Sequence, residues 1–266
     1  MVGAQLNENK METNRKTLVV DVGGTHVKVL ASGQKLHRAL ISGKHLTPRR
    51  MVSDVQKLVA DWEYEFISIG YPGPVLNNQP VLEPWNLGKG WVHFDFKKAF
   101  RRPVKIINDA AMQALGSYRR GKMLFLGLGT GLGSAMIVEG LAVPMELAHL
   151  PYRKRTFEDY VGLRGFKKYG RKKWRELVED VTARLIAAFE PDEVVLGGGN
   201  VHQLKKLPPL CRAGDNENAF LGGFRLWDAN GVAESGRTAP LHKAKEIITD
   251  HKERVTSRSQ DKVSNC

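Results

Sequence analysis

Apolar residues along this chain come in short runs whose spacing changes from segment to segment. Residues 17–31 (TLVVDVGGTHVKVLA) hold two apolar runs around Gly23 and Gly24, which predicts a hairpin. Met51, Val55, Leu58 and Val59 then recur at helical spacing, so a helix is expected over residues 51–61. Phe66 to Gly70 reads as a short buried strand. A long loop follows, with Pro72, Pro74, Pro80 and Pro84, ending in the segment from Trp85 to Trp91 (WNLGKGW). A loop this long in a compact chain is more often functional than idle.

The alternation then resumes. Val104 to Ile107 predicts a strand, Ala110 to Arg119 a helix, Met123 to Leu128 a strand, and Ser134 to Val138 its hairpin partner. Over residues 174–189, Trp174, Leu177, Val178, Val181, Leu185 and Ala188 form one helical stripe, stopped by Pro191. Glu193 to Leu196 is a further strand, running into Gly197-Gly198-Gly199-Asn200, and Val201 to Leu207 reads as a short helix. From Ala229 the core-forming pattern is lost. The expected organisation is a disordered lead (1–16), an N-terminal lobe (17–107), a C-terminal lobe (108–228) and a polar flexible tail (229–266).

Composition narrows the class. At 266 residues and 42% hydrophobic, the chain has material for two lobes with real cores. No apolar run is long enough for a bilayer span, and the first residues do not read as a secretory signal. Two cysteines, Cys211 and Cys266, exclude a disulfide framework and a four-cysteine zinc site, and favour the cytoplasm. The net charge of +13 asks for an anionic partner, although ordinary solubility explains it equally well.

Several segments carry candidate chemistry. The turn from Asp21 through Gly23, Gly24 and Thr25 offers backbone N–H groups, a hydroxyl and a carboxylate, with the Lys28 charge nearby; its plain reading is a hairpin turn. Alternating glycines at 127, 129, 131 and 133 weaken a strand unless something must lie against it. They fit neither the dinucleotide fingerprint nor the Walker loop, yet Gly129, Thr130 and Gly131 can still face phosphate. Asp109, after Asn108 at a strand end, is either a general base or a helix cap. Glu146 and His149 are spaced to share one face of a helical turn. Between Arg153 and Arg175, basic residues including Lys167, Lys168, Arg171, Lys172 and Lys173 interleave with Phe166, Tyr169 and Trp174. That stretch is a solvated face or a track for a long anion.

In order, the motifs DVGGTHVK, YPGPV, WNLGKGW, INDAAMQALG, LGLGTGLGSAMI, ELAHLPY with FEDYVG, and VVLGGGN resemble the ROK family of sugar kinases, and within it the polyphosphate glucokinase branch. The resemblance spans Thr17 to Trp227. It implies a two-lobed α/β fold of the actin-like ATPase (ribonuclease H-like) type, with an active-site cleft between the lobes. It implies that Asp109 is the catalytic base. Asn86, Asn108, Glu146, His149 and Glu158 would bind glucose. Asp21, Gly23, Gly24, Thr25, Lys28, Gly129, Thr130 and Gly131 would hold donor phosphates with Mg²⁺, and Gly197, Gly198, Gly199 and Asn200 would meet a nucleotide. The expected donors are inorganic polyphosphate, ATP or both, and a homodimer is expected, with no nucleic-acid or membrane partner. The cysteine-rich motif of many family members is missing between His149 and Glu158, so no zinc and no resident metal site are expected. No helix-turn-helix precedes Thr17, against a repressor; His26 and Ala148 replace smaller residues. A kinase of another hexose and a non-catalytic sugar-sensing regulator are the alternatives.

Overall fold

The computed structural model describes residues 15–228. The expected tail, and the expected lead up to residue 14, lie outside the described residues. Arg15 and Lys16 are in place: the Lys16 carbonyl accepts from the Glu65 and Phe66 amides, and Lys16 Nζ pairs with Glu63 at 2.6 Å.

In chain order the first half runs β1 (Thr17–Val22), β2 (His26–Ala31), β3 (Arg38–Ile41), α1 (Pro48–Leu58), β4 (Phe66–Tyr71), the short pair β5 (Val75–Leu76) and β6 (Gln79–Pro80), α2 (Phe96–Phe100) and β7 (Val104–Asn108). The second half runs α3 (Asp109–Ser117), β8 (Lys122–Leu128), β9 (Leu132–Val138), β10 (Leu141–Met145), β11 (Pro151–Tyr152), β12 (Arg155–Thr156), α4 (Phe157–Val161), α5 (Leu163–Phe189), β13 (Glu193–Gly197), β14 (Cys211–Ala213) and α6 (Asn218–Arg225).

Two five-stranded sheets result, in the orders β3-β2-β1-β4-β7 and β10-β9-β8-β13-β14. Each has the same logic. An antiparallel hairpin (β1–β2, β8–β9) is joined on its inner side by parallel strands. Parallel strands are covered on both faces, which is why β1 and β4 read as near-continuous apolar runs. The far edge of the first sheet is closed by a side chain. Asn78, at the tip of the β5–β6 pair, donates to the Val104 carbonyl and accepts from the Ile106 amide of β7.

Between the sheets lies α3, whose buried residues are Ala110, Ala111, Met112, Ala114, Leu115, Gly116 and Ser117. The small residues serve its crossing with α6. A Cβ on Gly116 would stand 1.8 Å from the Asn218 carbonyl oxygen, and one on Gly222 1.7 Å from that of Met112. From there α6 reaches back to the first sheet: Gly223 lies on Val19 of β1, and Ser68 Oγ of β4 donates to the Gly223 carbonyl.

Several element bounds differ from expectation. The helix expected at 51–61 starts at Pro48, because Thr47 caps it, accepting from the Arg50 amide at 3.3 Å, and proline suits the first helical turn. The helix expected at 174–189 begins at Leu163 and is broken at Gly170 (φ 71, ψ 167). Val201 to Leu207 makes only a single 3-10 turn, Val201–Gln203, because the chain turns extended at Leu204. No helix among the described residues is long and apolar enough to cross a membrane.

Candidate active site

Asp109 opens α3 directly after β7. Its Oδ1 accepts from the Ala110 amide at 2.8 Å, so the carboxylate is fixed at the helix N-terminus. The preceding Asn108 is the cap: its Oδ1 accepts from the Ala111 amide and its Nδ2 donates to the Gly73 carbonyl, each at 3.1 Å. Half of that amide's bonding capacity is therefore committed to the scaffold, leaving one N–H and one lone pair for a ligand. Burial, then the neighbouring Asp21 charge and a smaller contribution from Glu146, push Asp109 up to about 7, against the Ala110 hydrogen bond. A carboxyl that titrates there is suited to take a proton near neutral pH.

Asp21 is the one incompletely buried residue of β1 and stands in register with Lys28 on one side and Gly70 on the other. Burial raises it to about 6, the Lys28 charge opposing and Glu217 adding to the rise. The turn beyond it needs glycine at 23, where the amide donates to the His26 carbonyl at 3.0 Å and a Cβ would stand 2.8 Å from that oxygen. His26 keeps regular strand pairing in β2, and its ring nitrogen lies 3.3 Å from the exposed Thr25 hydroxyl. Gly24 faces the Asn86 side chain, 3.4 Å from where its own Cβ would be. The long proline loop thus returns to the turn at Gly23 and Gly24. It is held there by Glu83, whose carboxylate accepts from the amides of Gly90, Trp91 and Val92 at 3.0–3.2 Å.

The glycine ladder forms the matching turn of the second sheet. The Gly129 carbonyl accepts from the Leu163 amide and from Asn200 Nδ2, both at 3.0 Å; the Thr130 carbonyl also accepts from Leu163. Gly198 (φ +85) lies on the Leu128 backbone, where a Cβ would stand 2.7 Å from its carbonyl, so this glycine is needed twice over. Nothing lies within 4 Å of the Cβ positions of Gly129 and Gly199, so both backbones face open space. Gly131 lies under the Glu158 carboxylate.

Glu146 and His149 do share one turn, a 3-10 turn at Leu147–His149, with His149 Nε2 at 3.7 Å from Glu146 Oε2. Ser134 Oγ anchors it, donating to the Met145 carbonyl and accepting from the Leu147 amide. Glu158 sits in the first turn of α4, which Asp159 and Thr156 cap reciprocally. Asp21, Asp109 and Glu146 thus come within electrostatic reach of one another, while Asn86 joins Gly24, Glu158 joins Gly131, and Asn200 joins Gly129. Lys167, Lys168, Arg171, Lys172 and Lys173 are exposed on α5, on both sides of the Gly170 break. The sequence reading missed Glu217, the α6 cap whose charge reaches Asp21; its GDNEN context reads only as loop. Arg164, one of the basic residues between Arg153 and Arg175, pairs with Asp159 at 3.2 Å beside Glu158. No group of three or more His, Cys, Asp or Glu side chains suited to a metal ion occurs among the described residues.

Known proteins share this fold. The family described as "ROK family" matches residues 17–143. Polyphosphate glucokinase of Mycobacterium tuberculosis (strain CDC 1551 / Oshkosh) is 26% identical over 220 residues, covering 74% of this chain and 83% of the relative. The inorganic polyphosphate/ATP-glucomannokinase of Arthrobacter sp. strain KM superposes with a TM-score of 0.68 at 22% identity, over 79% of this chain and 97% of that one. A ROK family glucokinase from Streptomyces griseus, solved with glucose and AMPPNP, gives 0.63 at 18%, over 79% and 98%. The fold is the two-lobed one of these kinase structures, and residues 17–143 carry the sequence match to the ROK family.

Proposed function

We propose that this protein is a glucokinase that transfers a phosphoryl group to the 6-hydroxyl of glucose, from inorganic polyphosphate and also from ATP. The observation that carries the reading is Asp109: a carboxylate pinned at the start of α3, raised to about 7, beside Asp21. The Asp109 carboxylate accepts the proton of the 6-hydroxyl. The sugar oxygen bonds to the terminal phosphorus, and the bridging P–O bond breaks, releasing ADP or a polyphosphate one unit shorter. Asn86, Asn108, Glu146, His149 and Glu158 hold the other hydroxyls. The amides at Gly23, Gly24 and Gly129 to Gly131, with Thr25 and Lys28, receive the phosphates, and Gly197 to Asn200 receive the nucleoside. Asp21 is a single carboxylate, which fits a Mg²⁺ ion that keeps mostly water and phosphate oxygens. Bound there, the ion would neutralise charge on the transferring group.

The donor assignment draws on the relatives' names and on the basic face of α5, where Lys167, Lys168, Arg171, Lys172 and Lys173 make a track for a polyanion. A cytoplasmic homodimer free of nucleic acid and membrane completes the proposal. The test is direct. Purified protein receives glucose and Mg²⁺ with polyphosphate or ATP offered separately, and glucose 6-phosphate is measured. Product from neither donor would reject the reading. Salt-sensitive binding to duplex DNA in a gel shift, without turnover, would favour the regulator instead.

A further inference from the structure

One aromatic side chain beside the site has no part in the reading above. Trp85 is 85% exposed, whereas Trp62, Trp91, Trp174 and Trp227 are each at most 9% exposed. Isolated exposed apolar residues are ordinary on protein surfaces. What distinguishes Trp85 is its mounting. It occupies a turn closed by the Leu87 amide on the Pro84 carbonyl, and both Pro84 and Leu87 are buried. The Gly88 amide donates to the Leu46 carbonyl at 3.1 Å, and Glu83 clamps the three amides from Gly90 to Val92. The next residue, Asn86, rests on Gly24 at the phosphate-type turn. A rigid turn therefore presents a large flat ring to solvent one residue from a hydroxyl-binding amide. An indole brings wide apolar area with only two side-chain torsions to freeze, which is the economical way to hold a ligand that has one apolar face and a polar rim.

A hexopyranose is such a ligand: its C–H bonds gather on the ring faces and its hydroxyls project around the edge. We propose that Trp85 is a sugar-binding residue, its indole stacking on the C–H face of the hexose while Asn86 bonds a hydroxyl. This rests on the glucokinase reading and adds a contact to it.

Because the other four tryptophans are buried, quencher access to tryptophan fluorescence reports chiefly on Trp85. Glucose alone should shift the emission of the full chain to the blue and protect it from acrylamide. By calorimetry, Trp85→Ala should weaken glucose binding about tenfold, and Trp85→Phe should restore most of it. The melting temperature should not move in either variant, since the side chain is exposed. If the wild type binds glucose but acrylamide access and the Trp85→Ala affinity are both unchanged, the stacking proposal is overturned and the kinase reading stands. If the wild type binds no hexose, the kinase reading falls and takes this contact with it.

Discussion

The carboxylate of Glu158 rests directly on Gly131: a Cβ at that glycine would stand 2.4 Å from Glu158 Oε2. A residue from α4 is thereby set against the turn of β8 and β9, so the proposed sugar and phosphate positions share one contact. Gly131→Ala should push Glu158 aside and lower kcat/KM for glucose about 10- to 100-fold, the scale of a displaced positioning group. Steady-state kinetics would check this, and a value within twofold of wild type would mean that Glu158 does not hold the sugar.

Asp109→Asn should cut kcat by about 10²–10⁴ while leaving glucose affinity near that of the wild type. On the proposed role the same group should set the pH profile: a base works deprotonated, so activity should climb as pH rises through about 7 and fall on the acid side. The variant should lose that limb along with its rate.

Stability should move in the opposite sense. A carboxyl whose folded-state pKa is raised penalises the fold only when charged. For Asp109 the cost is absent below its ordinary value of 3.8 and complete above about 7. Asp109→Asn keeps the acceptor for the Ala110 amide and removes the charge. It should therefore raise the melting temperature at pH 8 and leave it nearly unchanged at pH 4. An equal shift at both pH values would show that the carboxyl is not strained by its surroundings.

Reversing Lys167, Lys168, Lys172 and Lys173 to Glu should raise the KM for polyphosphate far more than that for ATP. All four side chains are exposed, so the fold should survive. An equal effect on both donors would remove α5 from the donor path. The polyphosphate KM of the wild type should also climb with salt, because exposed charges are screened.

Gly170→Ala tests the break that divides the basic residues into two groups. The backbone there (φ 71, ψ 167) is one that only glycine adopts comfortably, while no atom crowds the Cβ position. The cost is therefore conformational, about 1–3 kcal/mol, readable by urea unfolding. A change below about 0.5 kcal/mol would mean the helix straightens without penalty.

The hairpin at 17–31, the strand before Asp109 and the 174–189 stripe were legible because their apolar positions alternate or recur cleanly. So was the turn pairing Glu146 with His149. Other parts were hidden for physical reasons. Arg38–Ile41 is a short edge strand with no buried residue, and its apolar residues Ala39, Leu40 and Ile41 run on without the alternation that marks a strand. The helix Asn218–Arg225 contains Gly222 and Gly223, which read as a loop until their contacts with α3 and β1 are seen. The start of α5 at Leu163 is masked by its lysines and by Gly170. Within the site, the pairings Gly24–Asn86, Gly131–Glu158 and Gly129–Asn200 join segments far apart in the chain, and no local pattern announces them.

The return of α6 to the first sheet bears on how the chain is made. Ser68 and Gly223 are separated by 155 residues, yet their hydrogen bond is buried beside Val19, and Trp227 Nε1 bonds the same serine. As the polypeptide emerges from the ribosome, the part of its first sheet around Val19 and Ser68 therefore waits uncovered by α6 until the last described helix has been synthesised. Such long-range closure is slow and leaves a sticky intermediate. A nascent chain halted before Asn218 should need a chaperone to stay in solution.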